Sequence, residues 1–471
     1  MADTLAELRD EVRRDLDTIR FPDREWVIPA TGPAGEPVLD VVVAGAGQCG
    51  LAVAFGLLRR RITNIAVYDQ GPPGSQGPWR SYGRMHTLRS PKHFNGPDLD
   101  VPSLSCQAWY SAKHGEQAWQ QLGKIGKEDW SDYLTWFAEA AGIPVEHEVR
   151  VEHVGPAAGG LLTVRLSRAG RTETRLARKV IFATGVTGLG RWVVPPAISE
   201  NVPRDRYHQV AEDIDFGALA GKRIGVLGGG ASAYDNAACA LEAGARSVDL
   251  FFRRPELHRV NPHHWTEFAG FLDHFRDLPD EWRWRFMAHI LPLNEPPPPD
   301  TFRRATRHQN FRLHLGERWE RVESAGEVVR VASADDKYEF DHLLVAVGMV
   351  QDVTLQRELA GAEPHIARWR DRYRPPAAEQ NAGLAEFPYL GGDFQYTEVS
   401  PGQAPWLSDV YNFTAAATVS HGPSGSSING MKQAANRIAD GICRDLFTGN
   451  VDRHYADLLA FEKPELDVPW P

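Results

Sequence analysis

A chain of 471 residues is longer than one hydrophobic core ordinarily organises, so two or three domains are expected. Hydrophobic residues make up 42% and charged residues 24%, a soluble globular balance, and the net charge of −10 argues against a nucleic-acid partner, whose phosphates select a basic face. Four scattered cysteines (Cys49, Cys106, Cys239, Cys443) form no CxxC pair, which suits neither a disulfide framework nor a zinc site and fits a reducing cytoplasm.

The N-terminal text MADTLAELRDEVRRDL reads as a charged amphipathic helix and lacks the apolar run of a signal peptide; a proline-spaced arm continues it to residue 37. No segment approaches the roughly 18 apolar residues of a membrane span, so a cytoplasmic protein without membrane association is expected. At Leu39 a βαβ unit begins. Its loop, Gly45-Ala46-Gly47-Gln48-Cys49-Gly50, follows an apolar strand directly. In such a loop the first glycine makes the tight turn and the second admits a pyrophosphate. The third lets helix and strand pack, with the phosphates at the helix N-terminus. The next strand, NIAVYD, ends at Asp69, where an acid holds ribose hydroxyls.

Loop-like text around 71–92 and an aromatic-rich helix lead to short alternating strands, and a second βαβ unit opens at Lys222. Its loop, Gly228-Gly229-Gly230-Ala231-Ser232-Ala233, matches GxGxxA, but its second strand, SVDLFF, ends in Arg253-Arg254. Arginine grips a 2′-phosphate by charge-assisted pairs where an acid would repel it, so this cradle is expected to hold NADPH. The acid-terminated first one suits the ribose of FAD or NAD, and a protein binding both would pass hydride from NADPH to a flavin. One of the two arginines is open to the alternative of being a solvated surface charge. The expected fold is α/β, with two Rossmann-like dinucleotide-binding domains and the NADPH domain inserted into the FAD domain. The expected division is an arm at 1–37, FAD-binding parts at 38–200 and 345–450, an NADPH-binding part at 201–344 and a tail at 451–471. The NADPH part carries a helical insertion over 255–315, rich in His, Trp and Phe.

This layout resembles the two-dinucleotide-binding-domain flavoproteins and, more narrowly, the class B single-component flavin-dependent monooxygenases, over roughly residues 39–447. GPWRSYG resembles their G-x-W loop, which implies Trp79 and Arg80 beside the flavin; IFATG (Ala183, Thr184, Gly185) and LLVAVG resemble the two interdomain crossings. DRYHQ places His208 where the family keeps a linker histidine, and SHGPSGSSING resembles the segment reaching the flavin pyrimidine edge, implying Ser424 and Asn429 as contacts. On the FAD side the resemblance further implies Gly45, Gly47, Gln48, Gly50, Asp69, Gln70, Thr87 and Val151. On the NADPH side it implies Gly228, Gly230, Ser232, Ala233, Arg253 and Arg254. The activity it implies is NADPH-driven insertion of one oxygen atom from O2 into a small organic substrate through a flavin C4a-(hydro)peroxide. Related disulfide reductases need a redox cysteine pair that this chain lacks.

Within the superfamily, the Baeyer–Villiger fingerprint retains only its histidine, His208, since Val202, Arg204 and Glu212 stand at the Phe, Gly and Trp positions. TLRSP and SHGPS look instead like segments of the amine N-hydroxylases, with Ser90 a departure. Amine N-hydroxylation is therefore the leading expectation, with Baeyer–Villiger or sulfide oxidation behind it. A flavin oxidoreductase serving a protein or quinone acceptor is the rival from another class. Asn261 stands near the place where those hydroxylases hold their substrate with an asparagine, but the residues around it differ, and the alternative is a turn former before Pro262. Lys92 follows the flavin-side loop and could touch flavin or NADP, or lie on the surface. No metal is expected, and His258, His263 and His264 read as packed or solvent-facing. Trp282 and Trp284 read as pocket-lining or core. A homo-oligomer is possible.

Overall fold

The computed structural model describes residues 4–466 and 468, apart from 95, 294, 424 and 426. Thr4 and Glu7 form a capping box that starts the helix Leu5–Thr18, and the buried Leu8 and Val12 seat it on the chain around 102–114.

Two parallel sheets dominate. In the first, Val38–Ala44 lies between Ile65–Tyr68 and Arg171–Phe182, all parallel; Val145–Glu146 and Val410–Asn412 extend it on either side. The strands Val149–Pro156, Leu162–Arg168 and the first half of Arg171–Phe182 add an antiparallel meander. The second sheet has the order Phe311–Leu315, Ser247–Phe252, Arg223–Leu227, His342–Val345, Tyr207–Gln209, parallel throughout. Its inner strands are near-continuous apolar runs because both faces are covered. The helix Ala231–Glu242 covers one face, and a three-stranded antiparallel sheet over 321–340 covers the other.

The sheets are joined where the chain crosses twice. Gly190–Trp192 and Met349–Gln351 pair antiparallel immediately after the two crossings. The text read as an insertion over 255–315 overshoots at its end. Phe311–Leu315 alternates side chains like a strand and pairs in parallel with Val248–Phe252 as the edge of the second sheet. The rest is helical: Pro262–Trp265, Ala269–His274, Asp280–Leu293 and Pro299–Thr306.

The middle two of those helices do not pack on the second sheet. Phe271, Phe275, Trp284, Met287 and Ile290 share a core with Trp369, Leu384 and Val419. Trp284 and Trp369 are 1% and 0% exposed, with ring centroids 5.9 Å apart. Burying each large side chain contributes about 1.5–3 kcal/mol, so five of them fasten the insertion to the C-terminal part of the chain and close one side of a cleft.

Candidate active site

Both glycine loops are built to the same plan. Gly45 and Gly228 adopt φ of +105° and +138°, and a Cβ on either would run into the carbonyl oxygen of a crossing residue, Ala183 or Ala346. Those alanines are fixed by amide hydrogen bonds to Ala44 and Leu227 respectively. Gly47 and Gly230 cap the two helices in extended conformation, and a Cβ on either would meet nothing within 4 Å. Each helix therefore starts at a glycine whose missing side chain leaves room for a group to approach its first amides, the arrangement a pyrophosphate uses. The third position differs. Gly50 is pressed on the Gly45 carbonyl, whereas Ala233 is fully buried with room for its methyl.

Asp69 braces the first loop: Oδ2 accepts from the Ala46 amide at 2.8 Å and Oδ1 from the Gly71 amide at 2.9 Å. Each carboxylate oxygen keeps a lone pair for a ribose hydroxyl. Gln70 beside it is exposed, and the ladder of the neighbouring strand slips between Val151 and His153. Gln48 accepts from Trp130 Nε1 at 3.2 Å, and Trp130 meets Trp79 edge-on at 6.5 Å, which sets the Trp79 ring against the cleft. Thr184 Oγ1, between Ala183 and Gly185 (φ +71°), is buried against the Gly188 turn without a hydrogen-bond partner among the described residues. Thr87 bridges to Gly126, which positions Leu88, Arg89 and Ser90 on the cleft wall. Cys49 is a buried packing residue whose thiol burial pushes up to about 12.

At the second cradle Ser232 is exposed in the first helical turn. Arg253 is exposed at the strand end, and no ion pair or hydrogen bond ties its guanidinium to the described residues. Arg254, by contrast, donates to the Pro292 carbonyl at 2.6 Å and lies over the Phe252 ring. Of the pair, Arg253 is the one unengaged for a phosphate.

A cleft of about 940 Å³ is walled by the loop around Trp79–Ser90, the insertion, the second crossing and the loop before the helix Met431–Thr448. Asn261 lines it. Its Oδ1 caps the helix Pro262–Trp265 by accepting from the His263 amide at 3.0 Å, and its amide nitrogen has no partner among the described residues. Asn429 lines it too, donating to Glu267 Oε1 at 2.8 Å. Ser424 lies outside the described residues.

Lys92, Arg80 and His208 are each drawn to partners away from the cleft. Lys92 is drawn to the helix Glu116–Gln121, donating to the Trp119 carbonyl at 2.6 Å with its ammonium 4.9 Å from the Trp119 ring centroid. Arg80 turns onto Ser131 and Asp132. His208 sits inside the second sheet's edge strand, its Nδ1 2.7 Å from His342 Nε2. In each case a nearer partner satisfies the group. Trp284 is core and Trp282 is half exposed under Arg285.

Sequence reading missed the polar wall. His263 and His264 both line the cleft, and His264 Nδ1 lies 2.9 Å from Glu267 Oε1. The three-residue spacing in HHWTE carried that signal. Arg89, held by Asp235 and Glu295, and Trp192 on the first crossing complete the wall. No group of three or more metal-ligating side chains occurs among the described residues. No described helix is long and apolar enough to cross a membrane.

The chain carries two glycine cradles and a polar-walled cleft, and the comparisons with known proteins bear on the class of enzyme this makes. Residues 42–187 match an FAD-NAD(P)-binding family, and residues 119–290 match the L-lysine 6-monooxygenase/L-ornithine 5-monooxygenase family. The chain belongs to the flavin-dependent monooxygenases, oxidoreductases working with FAD and NADPH. It is 40% identical over 469 residues to the FAD-dependent urate hydroxylase of Xanthomonas campestris pv. campestris, covering 99% of this chain and 98% of that protein. Among solved structures it is similar to the ornithine N-hydroxylase of Kutzneria sp. 744, with reduced FAD, NADP+ and L-ornithine (TM-score 0.67, 15% identity, 87% of this chain and 99% of that one). The reduced ornithine hydroxylase of Pseudomonas aeruginosa gives 0.66 at 15% identity, covering 87% and 100%. At that identity the likeness is one of fold.

Proposed function

We propose that this enzyme hydroxylates urate or a closely similar oxidised purine, consuming NADPH and O2. The observation that carries the reading is the 40% identity to a urate hydroxylase along essentially the whole of both chains. The cleft is consistent with it. Trp79 and Trp192 supply flat apolar surface, while the amides of Asn261, Asn381 and Asn429 and the Arg89 guanidinium supply donors and acceptors. A planar ring alternating carbonyls with N–H groups, and anionic near neutral pH, is complemented by that set.

Bound FAD supplies the redox chemistry that links NADPH to O2. The chain's own residues bind and orient. In this reading Gly47 and the first cradle helix receive the FAD pyrophosphate, Asp69 a ribose and Trp79 the flavin flank. Gly230 and Ser232 receive the NADPH pyrophosphate and Arg253 its 2′-phosphate. The wall formed by the insertion keeps bulk water from the reacting atoms.

Amine N-hydroxylation is the second reading, favoured by the match of residues 119–290 and by Glu267, Glu295 and Glu386, carboxylates on the cleft wall that suit an ammonium group. Substrate-dependent NADPH oxidation separates the two. Urate should stimulate it with matching loss of urate absorbance, and ornithine or lysine should not. Stimulation by the amines alone would replace the first reading with the second.

A further inference from the structure

Resting on the urate reading, we propose that His264 takes the ring N–H proton of the substrate, and that Glu267 and Asn429 are its positioning residues. The local sequence arranges this. Asn261 caps a single helical turn begun by the buried Pro262, and the chain leaving its Thr266 C-cap brings Glu267 back to His264. Glu267 is the better buried of the two, its side chain 19% exposed against 56% for His264.

The hydrogen bonds fix which nitrogen works. An ionised carboxylate only accepts, so the 2.9 Å contact between Glu267 Oε1 and His264 Nδ1 places the ring proton on Nδ1. Nε2 is left as the acceptor, on a ring that lines the cleft. The same Oε1 accepts from Asn429 Nδ2 at 2.8 Å, so the carboxylate is also held by the loop before the helix Met431–Thr448. A base oriented by a carboxylate, itself anchored across the site, is the arrangement that general-base catalysis requires.

The other charged groups facing this cleft are occupied. Glu295 pairs with Arg89 at 3.3 Å, Glu386 with Arg368 and Arg370, and Asp352 accepts from the Thr354 amide. His263 lines the cleft without a carboxylate among the described residues to orient its ring. His264 alone among these combines an open nitrogen with an oriented ring.

The chemistry balances with the reagents the reading already names. One oxygen atom of O2 forms a bond to a ring carbon of urate, and the other leaves as water. Two electrons come from NADPH, which becomes NADP+. The substrate N–H bond breaks to Nε2 as the C–O bond forms, and the proton passes from His264 to solvent. The net consumption is one proton, O2 and NADPH for each hydroxylated urate and water.

The test compares wild type, His264→Ala, Glu267→Gln and Glu267→Asp as FAD-loaded enzymes. Flavin absorbance and thermal unfolding serve as checks of folding. His264→Ala is expected to lose about 100-fold in kcat/KM for urate, mostly in kcat, and to lose the acidic limb of its pH profile. Added imidazole should restore part of that rate. Glu267→Gln should shift the acidic limb, and Glu267→Asp should restore it in part, neither of which a merely structural carboxylate would do. A wild type active on urate whose His264→Ala variant keeps both its kcat/KM and its acidic limb overturns the assignment alone. A wild type that neither binds urate calorimetrically nor oxidises it overturns the substrate reading and the assignment together.

Discussion

Arg89 Nη2 stands 3.5 Å from Oδ2 of Asp235, joining the flavin-side loop to the helix of the second cradle. The Asp235 side chain is only 3% exposed, and burial pushes its carboxyl above the usual carboxylate range while Arg89 pulls it back. Removing one member of a buried pair costs about 3–5 kcal/mol. Here Arg89 is 30% exposed, and Asp235 keeps a 3.2 Å bond from Thr301. Arg89→Met should therefore cost about 1–2 kcal/mol by urea unfolding of the holoenzyme, discounted for solvent screening. Arg89→Met leaves the buried Asp235 with Arg304 Nη1, 3.8 Å away, as its charged partner, and adding Asp235→Asn should recover part of the loss because Arg304 keeps its pair with Glu242.

The two arginines that end the second cradle's outer strand should separate on mutation. Arg254 is spent on the Pro292 carbonyl, and Arg253 is not. Arg253→Ala should raise the Michaelis constant for NADPH about 10–100-fold while leaving that for NADH near its wild-type value, as loss of a hydrogen bond to a charged group predicts. Arg254→Ala should affect both cofactors alike. Steady-state kinetics with each nucleotide decides.

The third glycine of the first cradle should not tolerate what the second cradle carries naturally. A methyl at position 50 would strike the Gly45 carbonyl, while Ala233 occupies the matching position buried and unstrained. Gly50→Ala should cost about 1–3 kcal/mol and release FAD during purification. An Ala233→Gly variant should keep its FAD. The flavin-to-protein absorbance ratio reads both.

Each cradle is legible in the sequence because it is written in consecutive residues. Strand, turn and helix follow one another along the chain, so the glycine loops, Asp69 and the Arg253-Arg254 pair take their places from order alone. Which of the two arginines is open to a phosphate is not legible locally, because Pro292, nearly forty residues on, occupies Arg254. The cleft wall is legible only in part for the same reason. Glu267 meets Asn429 across more than a hundred residues, and the insertion seats on Trp369, Leu384 and Val419. Lys92 and His208 stand out by position in the sequence, but partners at Trp119 and His342 claim them.

The His208–His342 contact predicts a pH dependence of stability. His342 is 3% exposed, and burial, then the neighbouring His208, lowers its pKa from 6.5 to about 4; His208 is lowered in the same direction, chiefly by burial. A depressed histidine binds fewer protons folded than unfolded between those values, so its contribution is complete above pH 6.5 and lost as pH falls towards about 4. The loss over that window should be roughly 3 kcal/mol. Urea midpoints measured from pH 7.5 to 4 should fall in wild type and fall less steeply in His342→Leu. Equal slopes would assign the acid sensitivity elsewhere.

If two cofactor cradles serve one oxygen insertion into a planar purine, the new oxygen must come from O2. Mass spectrometry of the product formed from urate and NADPH under 18O2 tests this most directly. One 18O atom is expected in the hydroxylated product, and none when the label is supplied as water. NADPH oxidation that leaves urate intact, or a product whose new oxygen comes from water, would contradict it.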